Sequence, residues 1–362
     1  MDIPIELKQN FQRHLLTWFR RQKRDLPWRR TQDPYQIWIS EVMLQQTQVD
    51  QVLPYFHRFI ETFPTVESLA KAPLSQVLKV WEGMGYYARA RNLYKAAQRI
   101  LQDHHARIPD TFEELSKLPG IGPYTVRAVL SIAYNQDYPV LDGNVSRVLS
   151  RVFNLDENPK SSTVQKKWLQ LAEKLLPPGQ ASDFNQALME LGALICRPQR
   201  PLCLLCPLNS FCQALALGDP TRLPVKAAKR AIPHHLIGVG IVWKDGQILI
   251  ALRPPEGLLG GLWEFPGGKV EEGESLEECV IREIREELDI QVKVDKPFVK
   301  VKHAYTHFRI TLHSFHCTYL GGEPKPLGCA DWKWVSPEEL PHYAFPKANK
   351  KILEELLNEK GA

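Results

Sequence analysis

Four cysteines, Cys196, Cys203, Cys206 and Cys212, fall within seventeen residues at the spacing C-x6-C-x2-C-x5-C, while Cys279, Cys317 and Cys329 lie scattered. Thiolates this close on a loop can satisfy a tetrahedral zinc ion or an iron-sulfur cluster, and in a reducing compartment they point to a metal rather than to disulfides. The spacing predicts a metal site and leaves the metal open, although zinc sites more often show two closely spaced pairs.

Two carboxylates stand where a side chain needs a role. Glu41 interrupts the apolar stretch Ile37-Trp-Ile-Ser-Glu-Val-Met-Leu44, where an ionised group is costly unless partnered or used. Asp142 follows the extended Tyr138-Pro-Val-Leu141 and is separated by Gly143-Asn144 from a helical run, so it either caps that helix or takes part in chemistry. Between the two lies Leu118-Pro-Gly-Ile-Gly-Pro-Tyr-Thr125, the turn of a helix-turn-helix segment. Thr111 and Glu114 predict a capping box for its first helix and Pro123 the first turn of its second. Gly120 and Gly122 are expected to take backbone angles closed to other residues and to leave backbone N–H groups open to a phosphate; otherwise they merely permit the turn.

These groups must be positioned by two kinds of framework. From Leu7 to about Ala216 apolar residues recur at helical spacing, as in Leu7, Phe11, Leu15, Trp18 and Phe19. The stretch from Leu223 to His235 is basic, bounded by prolines and without an amphipathic face, which reads as a linker. Beyond it, strand-like runs (Leu236 to Trp243, Gln247 to Leu252, and around Phe298 to Tyr319) surround a helical segment from Ser275 to Leu288, predicting a mixed α/β domain.

Composition sets the outer limits. At 362 residues the chain is long for one core, and 44% hydrophobic with 24% charged residues excludes a disordered or fibrous class. No apolar run approaches the ~18 residues of a membrane span, and Met1 to Glu6 shows no secretory pattern, so a cytoplasmic protein is expected. The net charge of +5 is uneven: 27 Lys/Arg stand against 21 Asp/Glu up to Val225, and 19 against 20 beyond it. A basic N-terminal part suits a polyanionic partner.

LPGIGPYT, then VLDGNVSRV, then the four cysteines together resemble the helix-hairpin-helix DNA glycosylase superfamily, whose endonuclease III-like members carry a 4Fe-4S cluster. WISEVMLQQTQV, WEGMGYYARARNL, FNQALMELGALIC and a C-terminal MutT-like part are similar to its adenine-excising branch. The resemblance implies a mainly α glycosylase domain over 1–222, with the hairpin at about 111–134 and the cluster loop at 196–212. A linker over 223–235 and an α/β Nudix-like domain over 236–362 that recognises 8-oxoguanine complete it. It implies one 4Fe-4S cluster on Cys196, Cys203, Cys206 and Cys212, no Mg²⁺ requirement for base excision, and action as a monomer on double-stranded DNA with an A:8-oxoguanine or A:G mispair. No membrane is involved, the setting is a cytoplasmic nucleoid, and a sliding clamp is left open as a further partner.

Residue by residue, the resemblance makes Glu41 the acid that protonates the adenine and Asp142 the carboxylate that stabilises the sugar cation, with Tyr124 and Asn144 orienting them. Gln46 and Tyr86 resemble wedge residues, and Trp28, Arg29 and Gln186 adenine-pocket residues. Tyr305, Thr306 and His307 resemble the loop that inspects the oxidised base. Read plainly, the same side chains are core aromatics, solvated charges and strand residues. Bifunctional relatives place a lysine nucleophile in the hairpin's second helix; this chain has Tyr124 there, and Lys160 is its only lysine between Leu118 and Gln165, which predicts a monofunctional enzyme.

Gly268-x5-Glu274-x7-Arg282-Glu283-Ile284-x-Glu286-Glu287-x-Asp289-Ile290 resembles a Nudix box in which Asp289 replaces a glycine. Glu283, Glu286 and Glu287 on one helix face would suit Mg²⁺ and pyrophosphate cleavage, and Asp289 falls at a helix end that calls for positive φ. Nucleotide pyrophosphohydrolysis, a bifunctional glycosylase/lyase and a non-enzymatic lesion binder are therefore the rival functions.

Overall fold

The computed structural model of the chain describes residues 3–225, 232–305 and 307–360. It divides into two compact units, one of Met1–Val52, Thr65–Ala70 and Lys95–Lys229, the other of Leu53–Pro64, Lys71–Tyr94 and Arg230–Ala362. No helix among the described residues is long and apolar enough to cross a membrane.

The first unit is helical, as the apolar periodicity predicts. The Ile5–Gln22 helix buries Phe11, Leu15, Leu16 and Phe19 on one face. That face meets the Ala181–Leu194 helix, with the Phe11 and Phe184 rings 6.4 Å apart. The Gly143–Val152 helix adds Val145, Val148, Leu149 and Val152 to the same core. Its start is fixed locally: Asp142 is extended, and its Oδ1 accepts the Val145 N–H at 2.6 Å. The Pro34–Leu44 helix begins on Asp33, whose Oδ1 accepts the Tyr35 N–H at 3.0 Å. Its residues from Ile37 to Met43 are all buried, the polar Ser40 and Glu41 among them.

Thr111 caps the Phe112–Ser116 helix, accepting the Glu114 N–H at 3.3 Å and donating its hydroxyl to the Glu114 carboxylate at 2.9 Å. The turn that follows corrects half of the expectation for its glycines. Gly120 has φ +74°, a left-handed conformation that favours glycine. Gly122 has φ −84° and ψ 171°, an extended conformation open to any residue, and an added Cβ would meet nothing within 4 Å. What glycine contributes at 122 is an uncovered backbone at the start of the Pro123–Ala133 helix.

The second unit is built on a mixed seven-stranded sheet: β1 (His234–Lys244), β2 (Gln247–Leu252), β3 (Trp263–Glu264), β4 (Gly267–Lys269), β5 (Gln291–Ala304), β6 (Arg309–Gly321) and β7 (Asp331–Val335). The strand order is β3-β2-β1-β6-β5, with β4 also on β1 and β7 on β2. β1 and β6 run parallel and the other pairs antiparallel. Alternation along each strand feeds two cores. Val239, Ile241, Ile248 and Ile250 pack with Ile352, Leu353 and Leu356 of the Lys347–Lys360 helix. Val242 and Leu249 pack on the other face with Val280, Ile284 and Leu288 of the Leu276–Leu288 helix. That helix opens on a Ser275–Glu278 capping box and closes on Asp289 at φ 57°, the left-handed conformation expected there, with Lys325 Nζ 2.8 Å from its carboxylate.

Leu149 is fully buried in the core that carries the Asp142 helix. Leu149→Ala is expected to cost about 2–5 kcal/mol, read as a lower midpoint in thermal or urea unfolding.

Candidate active site

A cleft of about 710 Å³ opens in the helical unit. It is lined by Trp28, Arg29, Glu41, Gln46, Tyr124, Asp142, Asn144 and Gln186, eight of the sequence-predicted residues, brought together from five separate segments.

At its floor the Tyr124 hydroxyl donates to Glu41 Oε2 at 3.0 Å. Burial pushes the Glu41 carboxyl up to about 7; the Tyr124 bond opposes this, the Asp142 charge adds to it and Arg29 opposes it. Glu41 is thus a carboxyl half protonated near neutral pH. Asp142 is held through both oxygens, Oδ1 by the Val145 N–H at 2.6 Å and Oδ2 by Asn144 Nδ2 at 3.0 Å. Burial raises its pKa, and those two donors oppose the rise. The helix N-terminus beneath it adds a favourable field for the anion.

Asn144 is itself fixed by the 2.7 Å bond that its Oδ1 accepts from Arg147 Nη2. The same guanidinium donates to Gly192 O at 2.8 Å and, through Nε, to Cys196 O at 2.7 Å. Gly192 allows the approach, since a Cβ there would lie 2.6 Å from that of Asn144. One arginine therefore ties the Asp142 end of the cleft to the backbone of the first cysteine.

Sequence reasoning missed Glu190 and Arg24. Glu190 is 1% exposed and accepts the Arg24 backbone N–H at 2.9 Å, Arg24 Nη2 at 2.6 Å, and Arg29 Nη1 and Nη2 at 2.9 and 3.0 Å. Burial alone would raise its pKa, but these bonds hold the carboxyl down at about 2. Arg29 Nε also donates to Gln186 Oε1 at 3.2 Å. The available signal was spacing: Glu190 lies four residues beyond Gln186, on the same helix face.

Cys196, Cys203, Cys206 and Cys212 line one small cavity of about 20 Å³, and all four are free thiols. The buried Arg151 guanidinium donates to Cys196 Sγ at 3.4 Å, to Arg197 O at 2.7 Å and to Pro198 O at 3.0 Å. Four cysteines beside a buried cation are the donor chemistry by which thiolates hold a negatively charged iron-sulfur group. No three His, Cys, Asp or Glu side chains among the described residues converge closely enough for a single metal ion.

Gln46 and Tyr86 share an unusual backbone, φ 59° and 50°, with exposed side chains. Left-handed conformations of residues other than glycine are costly and cluster at functional sites. Tyr305 lies in the hairpin joining β5 to β6 and stacks on Phe308 at 4.7 Å, while His307 is exposed. Thr306 falls outside the described residues. In the Nudix-like box Glu283, Glu286 and Glu287 lie at i, i+3 and i+4 of the Leu276–Leu288 helix, and Arg282 Nη1 is 3.1 Å from both Glu283 and Glu286. Glu283 and Glu287 turn toward Gly268 and Gly267, whereas Glu286 is 62% exposed on Arg282. Burial, with Glu264 and Glu283 close by, pushes the Glu287 carboxyl up to about 8.

Two family profiles match the chain. The HhH-GPD superfamily base excision DNA repair protein profile matches residues 39–174, and the NUDIX domain profile matches residues 238–355. The adenine DNA glycosylase of Rattus norvegicus is 35% identical over 94% of this chain and 77% of its own length. The adenine DNA glycosylase of Buchnera aphidicola subsp. Acyrthosiphon pisum (strain APS) is 32% identical over 96% of this chain and 97% of its own. Among solved structures, a thermostable thymine-DNA glycosylase superposes with a TM-score of 0.55 at 31% identity, over 60% of this chain and all of its own.

The raised Glu41 pKa has a consequence for stability. A carboxyl at 4.5 when unfolded and about 7 when folded contributes fully below pH 4.5, and the contribution is lost as pH rises through 7. Glu41→Gln, which keeps the shape without the charge, should therefore gain about 2–3 kcal/mol relative to the parent between pH 5 and pH 8, measured by urea unfolding at both.

Proposed function

The chain belongs to the adenine DNA glycosylase family, and on that premise we propose that it hydrolyses the N-glycosidic bond of adenine mispaired with 8-oxoguanine, or with guanine, in duplex DNA. As that bond breaks, its electrons leave with the base and positive charge grows on the sugar, so the reaction needs a proton donor at the base and an anion beside the sugar. Glu41 is the donor, since burial keeps a protonated fraction at neutral pH. Asp142 is the anion, pinned through both oxygens. Tyr124 orients Glu41 and Asn144 orients Asp142. Once Glu41 has given up its proton, its carboxylate guides the water that completes hydrolysis. Trp28, Arg29 and Gln186 take the adenine, and Glu190 fixes Arg29. The observation that carries this reading is one cleft holding two carboxyls in different electrostatic settings, one held up near 7 and the other on a helix N-terminus.

Around this centre we assign the uncovered Gly120–Gly122 turn to a DNA phosphate and Gln46 and Tyr86 to the gap in the duplex. Tyr305, Thr306 and His307 are assigned to the 8-oxoguanine. Cys196, Cys203, Cys206 and Cys212 would hold one 4Fe-4S cluster, which fastens the loop bearing Arg197 and Arg200 and supplies no step of excision. Mg²⁺ is not required. Residues 1–222 form the excising part, 223–235 the tether and 236–362 the lesion-reading part of a monomer acting on chromosomal DNA in the cytoplasm.

Single-turnover adenine release from a duplex with one A opposite 8-oxoguanine tests the mechanism. Glu41→Gln should slow it about a hundred- to ten-thousand-fold. Asp142→Asn, which keeps an oxygen for the Val145 N–H, should slow it strongly while leaving the fold intact. The parent rate should fall about tenfold per pH unit above 7 as Glu41 ionises. Adenine release that survives Glu41→Gln, or efficient borohydride trapping of a covalent DNA adduct, would overturn the reading. Iron and acid-labile sulfide analysis should give four of each per chain, both lost in Cys206→Ser; one zinc instead would refute the cluster assignment.

A further inference from the structure

Tyr86 belongs to the connection between the Leu74–Val80 and Ala88–Asp103 helices. Tyr86 is 41% exposed, while the next residue, Tyr87, is buried. The backbone around it is left-handed three times, at Gly83 (φ +94°), Gly85 (+77°) and Tyr86 (+50°). Glycine takes such angles freely; tyrosine does so only when its surroundings enforce it.

Arg89 lies against the Tyr86 ring. Its guanidinium lies 5.4 Å from the centre of the Trp81 ring and 5.3 Å from that of Tyr86. Trp81 is fully buried, so the stack runs from core indole through a cation to an exposed phenol ring. Arg89 Nη2 also donates to Gly85 O at 3.2 Å, the carbonyl that accepts the Trp81 Nε1–H at 3.0 Å. A planar, weakly hydrated guanidinium can stack on aromatic faces and donate in its plane at once, which an ammonium cannot. Burial lowers the Arg89 pKa only to about 10, so the group remains a cation at neutral pH.

We infer that Arg89 is a positioning residue for Tyr86. Stacked between Trp81 and Tyr86 and bonded to Gly85 O, it presents the Tyr86 ring to solvent with one face already covered, leaving the rest to stack on a base beside the extruded adenine. The inference rests on the reading above in which Tyr86 enters the duplex.

The test uses the full chain and a duplex carrying 8-oxoguanine opposite a non-cleavable adenosine analogue, with 2-aminopurine as the neighbouring base. Binding relative to a matched duplex and 2-aminopurine quenching are measured for parent, Tyr86→Leu, Arg89→Leu, Arg89→Lys and the double Leu variant. Arg89→Leu is expected to lose about tenfold in mispair preference together with the quenching, and Arg89→Lys to regain only part. On the Tyr86→Leu background Arg89→Leu should add less than twofold, because Arg89 acts through that ring. If Tyr86→Leu binds and quenches like the parent, the reading of Tyr86 fails and the inference with it. If Tyr86→Leu loses preference while Arg89→Leu keeps it, or if Arg89→Leu weakens binding equally without Tyr86, only the inference fails. Should Arg89→Leu melt well below the parent, Arg89→Lys takes its place, and full parental preference and quenching in Arg89→Lys would overturn the stacking argument.

Discussion

The bond between the Val145 amide and Asp142 Oδ1, 2.6 Å long, is the joint on which the helical unit's chemistry rests. It starts the Gly143–Val152 helix, whose apolar face is core, and it fixes a carboxylate at the mouth of that helix. The same helix carries two buried cations one turn apart. Arg147 reaches Asn144, Gly192 O and Cys196 O, and Arg151 reaches the sulfur of Cys196 and the carbonyls of Arg197 and Pro198. A buried guanidinium is tolerated only when its donors are met, so the cysteine loop satisfies the arginines while the arginines hold the loop. Core, carboxylate and cysteine loop are thus one mechanical piece.

The cleft above that joint separates its carboxyls by what surrounds each. Glu190 faces two arginines and is held down at about 2; burial and the Asp142 charge hold Glu41 up at about 7 against the opposing Tyr124 bond and Arg29 charge. Arg29 lies between these outcomes. It lowers the Glu41 pKa, yet four bonds commit it elsewhere, to Glu190 through both Nη atoms, to Gln186 and to Arg24 O. A cation so engaged leaves Glu41 its proton, which is why a residue that never touches Glu41 belongs to the chemistry of the cleft.

Much of this was legible in the sequence where spacing is local. The Thr111 cap, the helix after Ser275, the Asp142 cap and the strand alternation in β1 and β2 all lie within a few residues of their causes. Spacing could place Glu190 on the helix face of Gln186, but its pairing with Arg24 and Arg29 was not legible, because they lie 166 and 161 residues away and no periodicity connects them. Gly122 was misread because sequence shows a glycine but not its φ; the reason for it is an open surface rather than a strained angle. The acidic box was legible as a cluster, since a helix puts Glu283, Glu286 and Glu287 near one another, but not in its detail: Glu283 and Glu287 turn toward β4, and Arg282 bonds both Glu283 and the exposed Glu286.

Tyr124 shows how one side chain can settle two questions together. Burial and the neighbouring Glu41 and Asp142 charges push its pKa well above the ordinary phenol value, so it stays neutral and donates its proton to Glu41 Oε2. A lysine at this place would offer a nucleophile, but as an ammonium within hydrogen-bond reach it would also favour the Glu41 anion and pull its pKa down. The acid and the amine are poor neighbours: a carboxyl that must arrive protonated at pH 7 calls for a neutral donor beside it. In the proposed reading, the absence of a lyase nucleophile and the presence of a usable acid are therefore one choice, made where the hairpin's second helix passes under Glu41.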